Sequence, residues 1–218
     1  MKKLTLVFGL ILLLFFANQA HAFVFINEIL ADPAGDANGD GIISTTQDEF
    51  IELLNASGNP VDLSGWTISD AVQTRHTFAL GTLLSPYSFF VVFGGGNPSL
   101  PGVNWQKAST GTLSLNNTAD TITFFDLNGQ TVDQVIYGGI ANHDQSIVRF
   151  PEGEKSEFVL HSGLADANGK PFSPGTTIDG KTKYGGVIPE PATIVLFSLG
   201  SGILAVGRRF LHRQSPIL

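Results

Sequence analysis

Apolar residues fall in short bursts through the middle of the chain and in two long runs at its ends. The bursts are separated by Gly, Asn, Asp and Pro clusters, a pattern of strands and turns. Phe23–Leu30 predicts a first strand, Asp32–Gln47 a polar loop, and Glu49–Asn55 a strand ended by Gly58-Asn59-Pro60. Gly65–Ser69 predicts a short strand around Trp66, expected to fill the core. Arg75–Leu80 and Tyr87–Phe93 follow, with a turn at Ser85-Pro86; Gly94–Trp105 reads as loop and Leu113–Asn117 is ambiguous. Thr121–Leu127 and Gln130–Tyr137 flank Asn128-Gly129. A type I′ turn is expected there because both residues tolerate positive φ. Val132 and Val135 differ in parity, which predicts a bulge near Asp133-Gln134. Gln145–Phe150 predicts a last strand, and no segment between the ends has a helical period with caps. The fold class is therefore all-β, a sandwich or barrel. Phe89–Phe93 is apolar at every position, as in a central strand covered on both faces. An exposed aromatic patch for a protein or polysaccharide is the alternative.

The ends carry addresses. Lys2 and Lys3 precede an apolar run, Leu4–Ala17, and Ala20-His21-Ala22 then offers a small-x-small site. Residues 1–22 read as a secretory signal helix that signal peptidase cuts between Ala22 and Phe23. At the other end Pro189-Glu190-Pro191 precedes the charge-free stretch Ala192–Gly207 and then Arg208-Arg209. That stretch covers about 24 Å as a helix, close to a bilayer core of about 30 Å. The arginine pair would stay on the cytoplasmic side. Both ends thus predict that Phe23–Val187 is exported.

The last thirty or so residues, with Pro189-Glu190-Pro191, the apolar helix and Arg208-Arg209, resemble the PEP-CTERM sorting signal of Gram-negative bacteria. The resemblance implies recognition by an exosortase, an inner-membrane intermediate held by a C-terminal transmembrane helix, and release or anchoring at the cell surface. It also implies a link to exopolysaccharide. Phe210–Leu218 extends past the usual stub and keeps a permanent membrane anchor as the alternative.

Between the ends lie roughly 165 residues, one domain's worth of chain. The chain has no cysteine, which leaves neither disulfides nor thiolate metal sites. Its formal net charge of −7 argues against nucleic acid as a partner. Abundant glycine and phenylalanine suit a sheet protein rich in turns.

Ile26-Asn27-Glu28-Ile29, Asp48-Glu49-Phe50-Ile51-Glu52-Leu53 and Val61–Asp70 occur in an order similar to the lamin tail domain family. Asp126–Gly129, Val132-Asp133-Gln134-Val135 with Tyr137-Gly138, and Ser173-Pro174-Gly175 continue the resemblance to about Thr177. It implies an immunoglobulin-like β-sandwich that binds or anchors, and brings no catalytic residues. The expected organisation is a signal peptide at 1–22, the sandwich at 23–177 and a linker at 178–187. The sorting signal with its transmembrane helix follows at 188–210, and a short tail at 211–218.

Candidate chemistry is sparse. Asp36, Asn38 and Asp40 place oxygens at alternate positions before Gly41, and Ile42 adds a carbonyl, as in a calcium loop. Gln47 stands where a bidentate acid belongs, but Asp48 and Glu49 follow at once. Asp-x-Asn-Gly recurs at Asp126 and Asp166, which marks it as turn vocabulary as well. Gly175–Thr182 matches the P-loop expression, yet Pro174 precedes it and Tyr184-Gly185-Gly186 breaks any following helix, so it reads as linker. His143-Asp144 reads as a solvated turn, and alternation puts Glu49 and Glu52 on opposite faces. The expectation is an exported, non-enzymatic surface or matrix module that meets exopolysaccharide or surface proteins. A membrane-anchored structural protein and, third, a secreted hydrolase are the alternatives.

Overall fold

A computed structural model describes residues 23–185. The strands are β1 (Val24–Leu30), β2 (Phe50–Asn55), β3 (Val61–Asp62), β4 (Thr67–Ser69), β5 (Thr74–Thr77) and β6 (Leu83–Leu84). They continue as β7 (Ser88–Phe93), β8 (Trp105–Lys107), β9 (Asp120–Phe125), β10 (Thr131–Tyr137), β11 (Ile147–Arg149) and β12 (Phe158–Leu160). Helical structure among the described residues is confined to three single 3₁₀ turns. A six-stranded sheet in the order β12-β11-β1-β2-β7-β8 faces a four-stranded sheet, β10-β9-β4-β5, and β3 pairs with β6. Pairing is antiparallel except for β7 with β8. The all-β sandwich expected from the strand pattern is the fold observed.

The core follows from alternation. Ile29, Ile51, Leu53, Phe90 and Val92 point from the larger sheet onto Ile68, Ile122, Phe124 and Val135 of the smaller one. Phe78 is fully enclosed between them, edge-on to both Phe90 and Phe124. The opposite face of the larger sheet is buried too, which is why β1, β2 and β7 are apolar at successive positions. Phe50, Val91 and Phe93 lie beneath Ala37, Leu100, Val103 and Phe172. Phe25, Leu54 and Phe89 lie beneath Tyr184. The exposed-patch reading of Phe89–Phe93 is thereby corrected: every residue of β7 is buried.

Four local expectations need revision. Asn128 does not adopt positive φ; only Gly129 does, at 75°. The Asp126 carboxylate instead accepts the N–H groups of Asn128 and Gln130, so side-chain chemistry rather than a type I′ backbone closes the hairpin. The bulge in β10 falls at Val132, between Thr131 and Asp133. Trp66 is half-buried, stacked at 5.2 Å on Phe124 at the edge of the core. Residues 178–184, expected as linker, are packed: Ile178 is buried and the Tyr184 N–H donates to the Tyr87 carbonyl.

Among the described residues no helix is long and apolar enough to cross a membrane. The signal helix and the C-terminal transmembrane helix expected from residues 1–22 and 188–210 lie outside the described residues.

Candidate functional site

The covered face of the six-stranded sheet carries a row of acids between its two apolar patches. β1 contains a bulge between Ile26 and Glu28, which turns Asn27 and Glu28 successively onto this face. Glu28 then stands directly across from Glu52 of β2, and both are fully buried. Two carboxylates side by side in a low-dielectric interior need donors or protons.

The C-terminal segment supplies the donors. Ser173 donates its N–H (2.9 Å) to Glu28 Oε1, and its hydroxyl lies 2.7 Å from Oε2. The Ser146 hydroxyl donates to Oε1 at 2.6 Å. Glu52 accepts the Gly175 N–H at 2.6 Å and the Asn27 amide at 2.9 Å. Half-buried Glu152 accepts the Ile178 N–H and the Asn27 amide, each at 3.3 Å. Burial first, then the Glu28 charge, pushes Glu52 well above the usual carboxylate range. Burial pushes Glu152 up to about 7. The stretch that matches a P-loop thus points its amides at the protein's own carboxylates rather than at a phosphate.

A second buried anchor joins the sheets. Asp133, on the β10 bulge, accepts the Ile26 N–H at 3.0 Å, next to the β1 bulge. The same oxygen pairs with Arg149 at 3.1 Å, while Arg149 also donates to the Ile26 and Ser156 carbonyls. The guanidinium lies over the ring of Phe158.

The calcium-loop residues are brought together only in part. Asp36 accepts the N–H groups of Asp40 and Gly41, and Asn38 Oδ1 accepts that of Asp40. Asp40 accepts the amides of Ile42 and Asn97, while buried Asp48 accepts those of Asn38 and Ser44. Glu49 leaves this group; its carboxyl is buried near the amides of Leu115 and Ser114, and burial pushes it up to about 7. Among the described residues no three His, Asp or Glu side chains converge as a metal site.

Glu49 and Glu52 are sealed, and burial pulls His76 down to about 4 in the interior. Asp48 and Glu52 are both held by the fold's own N–H groups. His143 is exposed in a loop. An open cleft of about 640 Å³ is lined by Trp66, Phe78, Leu80, Leu127, Gly65, Asp62 and Ser64. Leu80 and Leu127 are 95% and 68% exposed. Hydrogen bonds from the Ser64 hydroxyl and amide hold Asp62 below the usual carboxylate range. Neither this cleft nor the strapping of 171–184 was foreseen from sequence; the Ser173-Pro174-Gly175 motif was its one visible signal.

The two packed sheets, with a buried acid row under a C-terminal strap, define an all-β sandwich class of domain. A family model, Lamin Tail Domain, matches residues 17–139, and the chain belongs to that family. A second, the PEP-CTERM protein-sorting motif, matches residues 187–214 and marks the chain for exosortase-targeted export as a surface protein. No curated protein sequence matches the chain. The sandwich extends past the matched span, since β11 pairs with β1. The signal-cleavage residues Ala20 and Ala22 and the sorting residues Pro189, Glu190, Pro191, Arg208 and Arg209 lie outside the described residues. Phe23 is described, and its carbonyl accepts the Ala56 N–H at 2.9 Å.

Proposed function

We propose that this protein is a non-enzymatic surface module that binds neutral exopolysaccharide through the cleft over Trp66. The observation that carries this reading is the cleft's makeup. An indole and two exposed leucines offer the apolar surface on which sugar rings stack, and Asp62 and Ser64 offer acceptors for their hydroxyls. The net charge of −7 disfavours anionic polymers. Retention of extracted exopolysaccharide by the purified protein, lost in Leu80→Asp and Leu127→Asp, is the expected result. Both side chains are exposed, so the fold should survive and circular dichroism should be unchanged. Equal retention by all three proteins would move binding elsewhere; no retention by any would favour the anchored structural protein.

Cleavage by signal peptidase before Phe23 and by exosortase near Pro189 are part of the same proposal. Mass spectrometry of the protein from its native host should find Phe23 at the N-terminus and an end near Pro189. A chain still ending at Leu218 would make the tail a lasting membrane anchor.

We also propose that the loop from Asp36 to Asp48 keeps its shape through its own amides rather than through calcium. Six backbone N–H groups already make seven hydrogen bonds to its acceptors. A chelator should therefore leave the thermal midpoint unchanged, whereas Asp48→Ala should lower it. A drop of several degrees on chelation would restore a cation at Asp36, Asn38 and Asp40.

A further inference from the structure

The C-terminal strap, Phe172–Tyr184, is the last packed segment among the described residues, and its hydrogen bonds to the acid row involve a count of buried protons. The His161 Nδ1 lies 2.8 Å from the Lys170 carbonyl, which can only accept, so that nitrogen carries a hydrogen. Its Nε2 lies 2.9 Å from the Ser173 hydroxyl, which in turn lies 2.7 Å from Glu28 Oε2. One hydroxyl hydrogen cannot serve both contacts. The second hydrogen must come from Nε2 or from Oε2. The Glu28–Ser173–His161 chain therefore holds one proton more than a carboxylate with a neutral imidazole would.

The neighbourhood has no cation to replace that proton. Among the described residues the ion pairs are Arg75–Asp70, Arg149–Asp133, Lys155–Asp133 and Lys181–Asp179, and none includes Glu28, Glu52 or Glu152. From β1 and β2 the groups facing the strap are Glu28, Glu52 and neutral Asn27. From the β11–β12 connection comes Glu152, and Glu154 lies near Tyr184. The strap's own charges are Asp179 and Lys181, paired with each other, and exposed Lys183, and Lys170 precedes it beside Gly180.

We infer that residues 172–184 form a proton-dependent latch, seated on the acid row while that row holds its protons and released as it ionises. Unlatching changes the reach of the tail. Pro189 lies five positions beyond Tyr184, an extended span of at most about 18 Å. Release back to Phe172 adds twelve more, about 40 Å. The latch thus sets how far the sorting motif can stand from the folded domain, whatever the cleft binds.

The raised groups agree in sign. A carboxyl whose folded value lies above its ordinary one binds more protons in the closed state. Its contribution is therefore full below the ordinary value of 4.5 and is lost as pH rises through about 7 for Glu152, with Glu52 shifted in the same direction.

Hydrogen exchange on the full-length chain in mild detergent, from pH 5 to pH 9, tests this. After correction for intrinsic rates, the Gly175 and Ile178 amides should lose at least about tenfold in protection across that range. Val92 in β7 should change far less. The double variant Glu52→Gln/Glu152→Gln, with amides in place of the two acids that burial raises and that accept these N–H groups, should flatten the profile to within about threefold. A flat wild-type profile, an unchanged slope in the variant, or equal acceleration at Val92 would each overturn the latch. The comparison of Gly175 with Val92 in the wild type decides the matter even if the variant fails to fold.

Discussion

Replacing Asp133 with alanine should destabilise the domain by about 3–5 kcal/mol, lowering the thermal midpoint by roughly 10 °C. The carboxylate is 7% exposed and accepts two unrelated donors on one oxygen, the Ile26 N–H and the Arg149 guanidinium. Alanine would leave a buried arginine without its counter-charge and a strand N–H without an acceptor. Lys155, the third member, keeps its side chain 38% exposed; Lys155→Ala should cost under about 1 kcal/mol. Asp133→Asn/Arg149→Met, which removes both charges together, should cost less than the sum of its single changes. Denaturant melts of the four proteins measure this directly. Additive losses would mean that the pair does not couple the sheets.

The strand pattern was readable because alternation and turn residues agree locally. Thr121–Tyr137 shows this well, since its two strands flank Asn128-Gly129 and pair as expected. The turn type was not readable, because Asp126 satisfies the turn's amides with a side chain and removes the need for positive φ at Asn128. The parallel strand Trp105–Lys107 and the edge strand Phe158–Leu160 are three residues each, too short for periodicity to register. The bulge at Asn27 was hidden because FVFINEIL reads equally well as an unbroken strand. The acid row is hardest of all to read. Glu28 meets Ser173 across 145 positions, and Glu52 meets Gly175 across 123. Seen alone, the first is a polar break in a strand and the second a flexible turn. Their motifs were visible as family-like sequence, but the physical reason for them, a carboxylate that receives a strap, exists only once β1 and β2 have paired. The same pairing explains why Gly175–Thr182 imitates a phosphate loop: exposed amides at a tight turn suit any anion, and here the anions are glutamates.

Glu28→Ala should cost about 2–4 kcal/mol and free the strap, whereas Glu28→Gln should stay within about 1 kcal/mol of the wild type. Alanine removes the partner of three buried groups: the Ser146 hydroxyl, the Ser173 N–H and the Ser173 hydroxyl. Some of the loss is offset, since Ser146 retains the Pro171 carbonyl and Glu52 loses a like charge beside it. Glutamine supplies the second hydrogen from its own amide. Its carbonyl oxygen accepts from Ser146 and Ser173, and its amide donates to the Ser173 hydroxyl, which then donates to His161 Nε2. Were Glu28 held as an ionised acceptor of three donors, glutamine would force an amide hydrogen against the serine hydroxyl and cost nearly as much as alanine. Thermal melts near pH 6 with limited proteolysis at Lys181 and Lys183 separate the outcomes. Alanine alone should expose those sites; cleavage of both variants alike would show that the buried proton does not hold the strap.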